Sequence, residues 1–250
     1  MTRLMGILNA TPDSYWKSSR IDASSVREVV ASMVRDGAGI IDVGAVSTRP
    51  GADSVSVEEE WSRLRPVLEV LSGSCPVDIS IDTTSSTIVR LALALLPGGF
   101  MVNDISAGEN DAEMLPLVGS LGLPFIAMHR RGGPCTMDGL TDYPSGVVQE
   151  VLDYFSEFSR KAALYGITDW TLDPGFGFAK TDSQNMELLA SLGAFKRFHR
   201  PILVSVADKR FVRSNFRSNA EAHRVAVAAG ADILRVHDIA GAFNEQDRIC

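Results

Sequence analysis

Along the chain, short runs rich in Val, Ile and Leu alternate with longer stretches whose apolar positions recur every three to four residues. Met5-Gly-Ile-Leu-Asn9 is the first run, and a helix is predicted from Asp22 to Asp36. In it Asp22 serves as N-cap, Val26, Val29, Val30, Met33 and Val34 form one stripe, and Gly37 stands where a C-cap belongs. Ile40-Ile-Asp-Val43 follows, then a loop and a helix opening at the capping box Ser56-x-x-Glu59. Further strands are predicted at Val77 to Ile81, Phe100 to Asn103, Phe125 to His129, Trp170 to Asp173, Ile202 to Val206 and Ile233 to Val236. Helical patterns lie between them near 85–95, 111–121, 146–165, 184–198 and 217–229.

Continuous apolar runs mark strands buried on both faces, and parallel strands need crossover helices. Eight such units in 250 residues predict a (β/α)8 TIM barrel, a single domain over 1–250 with a short final helix. A doubly wound open sheet is the competing α/β arrangement. With 24 Lys+Arg against 31 Asp+Glu, the formal charge is −7, which argues against a nucleic-acid partner. No apolar run reaches the roughly 18 residues of a membrane span, and the first residues run straight into a strand, so neither a membrane nor a signal peptide is expected. Cys75, Cys135 and Cys250 are scattered thiols that suit a reducing, cytoplasmic setting.

Chemistry in a barrel gathers where strands end. Those ends carry Asn9, Asp42, Asp82, Asn103, His129, Asp173, Lys209 and Arg235 with His237. Two carboxylates and an amide (Asp82, Asp173, Asn103) suit the edge of a flat nitrogen heterocycle, and Lys209, Arg235, His237 and Arg49 suit an anion. The turn Asp173-Pro-Gly-Phe-Gly-Phe178 permits close backbone approach and places an aromatic ring at the mouth. No P-loop, dinucleotide fingerprint or His-Glu-x-x-His pair is present. The residues alone reach a barrel enzyme acting on a polar heterocycle with an anionic group.

Ile7-Leu-Asn-Ala-Thr-Pro-Asp-Ser14 resembles the opening motif of the dihydropteroate synthases. The resemblance continues through Ser47-Thr-Arg-Pro-Gly-Ala52, Ile81-Asp-Thr83, Asn103-Asp-Ile-Ser106, Met128-His129, Leu172-Asp-Pro-Gly-Phe-Gly-Phe178 with Lys180-Thr181, and Arg235-Val-His-Asp238. It implies the same barrel and the joining of 6-hydroxymethyl-7,8-dihydropterin diphosphate to p-aminobenzoate, with release of pyrophosphate, in folate biosynthesis. It further implies a pterin site of Asp82, Asn103, Met128, Asp173, Phe178, Lys209 and Arg235. Asn9 would ligate Mg2+ and, with Arg49, Arg235 and His237, hold the diphosphate. Thr48, Pro50, Phe178, Lys209 and Arg210 would frame the aminobenzoate, and Asp13 would help close the site. Family members are usually homodimers and sulfonamide targets.

The chain departs from the family pattern after the seventh strand. Where the family reads Gly-Val-Ser-Arg-Lys-Ser-Phe, this chain has Ser205-Val-Ala-Asp-Lys-Arg-Phe211, and the stretch from Lys209 to Arg235 is shorter than usual. Ala45-Val46 replaces the common Gly-Glu, and Tyr15-Trp16-Lys17 replaces Phe-Ser-Asp. Arg210 either pairs with the aminobenzoate carboxylate or fills its pocket. Two readings stay open: an active synthase with an altered aminobenzoate pocket, or a pterin-binding paralogue that is non-catalytic or uses another acceptor.

Overall fold

A computed structural model describes residues 2–10, 16–17, 20–21, 23–46, 55–73, 75–133 and 136–244. Eight strands form one parallel sheet: β1 (Arg3–Asn9), β4 (Ala38–Gly44), β5 (Asp78–Asp82), β6 (Met101–Asp104), β7 (Phe125–Met128), β8 (Trp170–Asp173), β9 (Leu203–Val204) and β10 (Ile233–Val236). Their order is β8-β7-β6-β5-β4-β1-β10-β9. A parallel bridge between Leu172 and Ile202, with the Leu172 amide donating to Pro201 O at 3.0 Å, joins the two ends. The sheet is therefore a closed barrel, not an open doubly wound sheet. A two-residue ribbon of β2 (Trp16–Lys17) and β3 (Arg20–Ile21) was not expected from the pattern. Of the segment after the last strand, where a short final helix is expected, residues 237–244 form turns and no helix, and 245–250 lie outside the described residues.

The crossover helices are α1 (Ala23–Arg35), α2 (Val57–Ser72), α3 (Ser86–Leu95), α4 (Met114–Leu121), α5 (Val147–Leu164), α6 (Asp182–Ala190), α7 (Arg210–Asn215) and α8 (Asn219–Ala229). Hydroxyl caps start several of them: Ser56, Ser85, Thr181 and Ser218 each accept an amide from three residues on. Only half of the expected box forms at Ser56, because the Glu59 carboxylate pairs with Arg63 at 2.9 Å. The predicted helix over 184–198 is α6 followed by a separate 3₁₀ segment, Leu192–Phe198.

Helix stripes pack on the outer face of the strands, where Phe125, Phe155, Phe158, Trp170 and Phe195 stack and cross with ring centroids 5.1–6.4 Å apart. Inside the barrel, Met5, Ile40, Ile126, Leu203 and Ile233 fill a layer of their own. Because side chains alternate along a strand, most inward positions one step further toward the C-terminal ends are polar. That places Asp42, Asp82, Asn103, Asp173 and Arg235 above an apolar floor. The opposite mouth opens into a cavity of about 1420 Å³ whose lining includes Arg3, Asp78, Met101, Thr171 and Ile233.

Candidate active site

Strand register sets the site. Asp82 lies opposite Asn103 on neighbouring strands, Met128 lies opposite Asp173, and Met5 lies opposite Arg235. Asp82, Asn103, Met128, Asp173, Phe178, Lys209 and Arg235 line one cleft of about 50 Å³, together with Ile105, Phe176 and Ser205. The next residue at a strand end points the other way: Asp104 is buried outside the barrel and accepts from the Ser106 amide, the Ser106 hydroxyl and the Gly108 amide at 2.6–2.9 Å. It fixes the loop and leaves Asn103 to the cleft.

Arg235 spans the cleft. Its Nε donates to Asp42 Oδ2 and its Nη2 to Asp82 Oδ2, each at 2.7 Å. Asp42 is fully buried, and the same Oδ2 accepts from Asn103 Nδ2 at 3.1 Å, so one carboxylate oxygen orients two of the residues above it. Burial works against the Arg235 charge, but Asp42 and Asp82 outweigh it and raise the guanidinium pKa. Lys209 Nζ lies 4.9 Å from the centroid of the Phe178 ring. Burial lowers the Lys209 pKa and raises that of Asp173. The nearby opposite charges, Asp173 for Lys209 and Lys209 with Arg235 for Asp173, pull each back toward its ionised form. Asp173 Oδ1 also accepts the Gly175 amide at 2.8 Å.

Two carboxylates, an amide and two cations therefore converge over an apolar floor, walled by a methionine and two phenylalanines. Such a set can hold both edges of a planar heterocycle rich in N–H and C=O groups. The larger cavity lies at the opposite mouth, at the strand starts, and several of its charged groups are already held. Arg3 pairs with Asp78 at 2.6 Å, Lys196 with Asp232 at 2.6 Å, and Arg200 donates to Thr168 O at 2.6 Å.

Asn9 and His237 are exposed just beyond this cleft, at the ends of β1 and β10. Asp13, Thr48, Arg49 and Pro50 lie outside the described residues. Arg210 is absent from the lining of this cleft: its side chain is 76% exposed and Nε donates to Asp182 Oδ1 at 3.0 Å. Lys209 precedes α7 in extended conformation and Arg210 is its first helical residue, so the two side chains diverge. Asp182 in the first turn of α6 then gives Arg210 a partner outside the cleft. Asp42, Phe176 and Ser205 join the site without having been assigned to it. Each sits in a stretch already read as a strand end or turn, but nothing in the residue types says which way it faces.

A sequence profile of the pterin binding enzymes matches residues 5–237. The dihydropteroate synthase of Synechocystis is 40% identical over 250 residues, covering 95% of this chain and 86% of that protein. Dihydropteroate synthase from Clostridium difficile, solved in the presence of pteroic acid, superimposes with a TM-score of 0.87 at 31% identity, covering 96% of this chain and 92% of that one. The enzyme from Thermus thermophilus, solved with 4-aminobenzoate, gives a TM-score of 0.81 at 37% identity, covering 96% and 90%. With the profile spanning nearly the whole barrel, the chain belongs to the pterin-binding enzyme family.

Proposed function

We propose that this protein is a dihydropteroate synthase, joining 6-hydroxymethyl-7,8-dihydropterin diphosphate to p-aminobenzoate with loss of pyrophosphate. The observation that carries the reading is the convergence of Asp82, Asn103, Asp173, Lys209 and Arg235 on one cleft walled by Met128 and Phe178. The names of the similar proteins, and the pteroic acid and 4-aminobenzoate in two of their structures, support it.

Asp173 would accept two N–H groups from the 2-amino-pyrimidinone edge, with Asn103 and Asp82 completing that edge and Lys209 donating to the ring carbonyl. Arg235 would lie against the pterin face and, with His237 and Arg49, hold the diphosphate. Asn9 offers one hard oxygen ligand at the end of β1, which fits a Mg2+ carried mainly by the diphosphate. When bound, that ion would neutralise charge on the leaving group. The bond from the exocyclic methylene to oxygen breaks as pyrophosphate takes the electron pair, and the aniline nitrogen then bonds the methylene carbon and loses a proton. The chain's contribution is electrostatic stabilisation and alignment, with Thr48, Pro50 and Phe178 framing the aminobenzoate and Asp13 helping to exclude water. The alternative, a pterin-binding paralogue that is non-catalytic or uses another acceptor, rests on the altered and shortened stretch after the seventh strand, where Arg210 pairs with Asp182. We also propose a cytoplasmic homodimer in which sulfonamides compete with p-aminobenzoate.

Pyrophosphate release from the pterin diphosphate, measured with Mg2+ and with or without p-aminobenzoate, tests the reaction. Aminobenzoate-dependent release with dihydropteroate formed is the expected result; release without that product would redirect the enzyme to another acceptor. Asp173→Asn should weaken pterin binding by at least ~2 kcal/mol in calorimetry, because a buried acceptor becomes partly a donor. Unchanged affinity would remove Asp173 from the site.

A further inference from the structure

Lys180 is a buried lysine beside the site to which this mechanism gives no role. It is only 4% exposed, and its three ammonium donors meet three partners: Gly175 O at 2.9 Å, Phe178 O at 3.0 Å and His129 Nδ1 at 3.1 Å. We propose that Lys180 is a positioning residue for pterin recognition: it gathers the loop after β8 around its ammonium and so sets Asp173 and the Phe178 ring in their working places. This inference rests on the proposed pterin site.

Gly175, Gly177 and Ala179 all take left-handed backbone conformations, with φ of +72°, +78° and +50°. This repeated reversal turns the carbonyls of Gly175 and Phe178 onto one point, where Nζ sits. Without a cation there, two carbonyls would face each other with no donor between them. Each of these two residues leads into the site. The amide of Gly175 donates to the Asp173 carboxylate at 2.8 Å, while its carbonyl accepts from Lys180. The Phe178 carbonyl accepts from Lys180, while its ring lies beside Lys209 Nζ. His129 supplies the anchor on β7: its amide donates to Asp173 O at 2.9 Å, and its ring is wedged edge-on to Tyr154 with centroids 5.0 Å apart. Burial, then the charges of Lys180 and Arg131, hold the imidazole pKa well below its ordinary value. A neutral ring with its proton on Nε2 leaves Nδ1 free to accept from the ammonium.

Asn185 is a second anchor for the same loop, accepting from the Gly177 amide at 2.8 Å and donating to Thr181 O at 2.8 Å. With that anchor intact, loss of the Lys180 donors should loosen the loop without unfolding the barrel. Lys180 therefore acts on the pterin through Asp173 and Phe178, touching neither substrate.

The test compares wild type, Lys180→Met, Lys180→Gln and Asp173→Asn. Calorimetry reads the dihydropterin diphosphate with Mg2+, steady-state kinetics read p-aminobenzoate, and thermal melts check the fold. Lys180→Met should raise the pterin Kd at least tenfold while the KM for p-aminobenzoate stays within threefold. Lys180→Gln, one bond shorter but with two donors, should retain the fold and recover part of the affinity. A pterin Kd within twofold of wild type in both Lys180 variants, while Asp173→Asn binds weakly, would overturn the assignment. So would equal losses for the two substrates, the mark of a general scaffold residue. Full pterin affinity in Asp173→Asn would instead bring down the site reading on which the inference stands.

Discussion

Asp82 shares its guanidinium partner with Asp42 and feels two further carboxylates. Burial, opposed by Arg235 and reinforced by Asp42, Asp104 and Glu60, raises its carboxyl to about 7. Between about pH 4 and 7 the native chain should therefore hold a proton on Asp82 that the unfolded chain, with an aspartate pKa of about 3.9, has released. A raised folded-state pKa gives a stabilising contribution that is complete below about pH 4 and lost as pH rises through about 7. Across that window the wild type should lose melting temperature relative to Asp82→Asn, and the two curves should run parallel above it. Parallel curves throughout would show that Asp82 titrates alike in the folded and unfolded chains. At Arg210, Arg210→Ser should leave the KM for p-aminobenzoate within twofold and change stability by at most ~0.5 kcal/mol, as for other exposed ion pairs. A large KM change would place Arg210 at the aminobenzoate. Residue types at strand ends made Asp82, Asn103, Asp173, Lys209 and Arg235 legible as a chemical set. They did not reveal that Asp42 lies under them, because a strand-end aspartate reads the same whether it meets ligand or arginine. Nor did position beside Lys209 fix the direction of Arg210, which depends on where α7 begins.

At the scale of elements, the eight barrel strands were legible because burial on both faces writes an unbroken apolar run. Six-residue α7 was not, since so short a helix carries too few turns to show a period. The 3₁₀ segment at 192–198 was read as helix for a related reason. Its buried residues Leu192 and Phe195 stand three apart, a spacing shared by both helix types. The packing of α4 against the end of α5 turns on Gly119, where a Cβ would stand 1.8 Å from Tyr165 O. Backbone cannot yield as a side-chain tip does, so Gly119→Ala should destabilise by ~1–3 kcal/mol through forced separation of the helices. Chemical denaturation checks this. Pterin affinity should be preserved in the folded fraction, since Gly119 lies in a helix and lines neither wall of the cleft.

For the whole molecule, the contrast between the two mouths of the barrel was only half visible in advance. Polar strand ends marked the reacting mouth, whereas the 1420 Å³ cavity at the other comes from how the strand starts and helix ends flare apart, which no local pattern encodes. The Arg235–Asp42 contact joins residues 193 positions apart, from the last strand to one of the first. Contacts of such separation form only after most chain entropy has been lost, so the cleft is completed when the ring of strands is completed. A ligand of that cleft stabilises closed molecules alone, by RT ln(1 + [L]/Kd). The pterin diphosphate at a hundred times its Kd should therefore add about 2.7 kcal/mol to unfolding. A chain ending before β10 should show no such gain. During synthesis, then, Asp42 leaves the ribosome long before the guanidinium that neutralises it. Until release of the finished chain that carboxylate must stay hydrated, and any fragment that buries it early carries an unpaired charge. A product ending before that guanidinium would lack the contact that shapes the binding site.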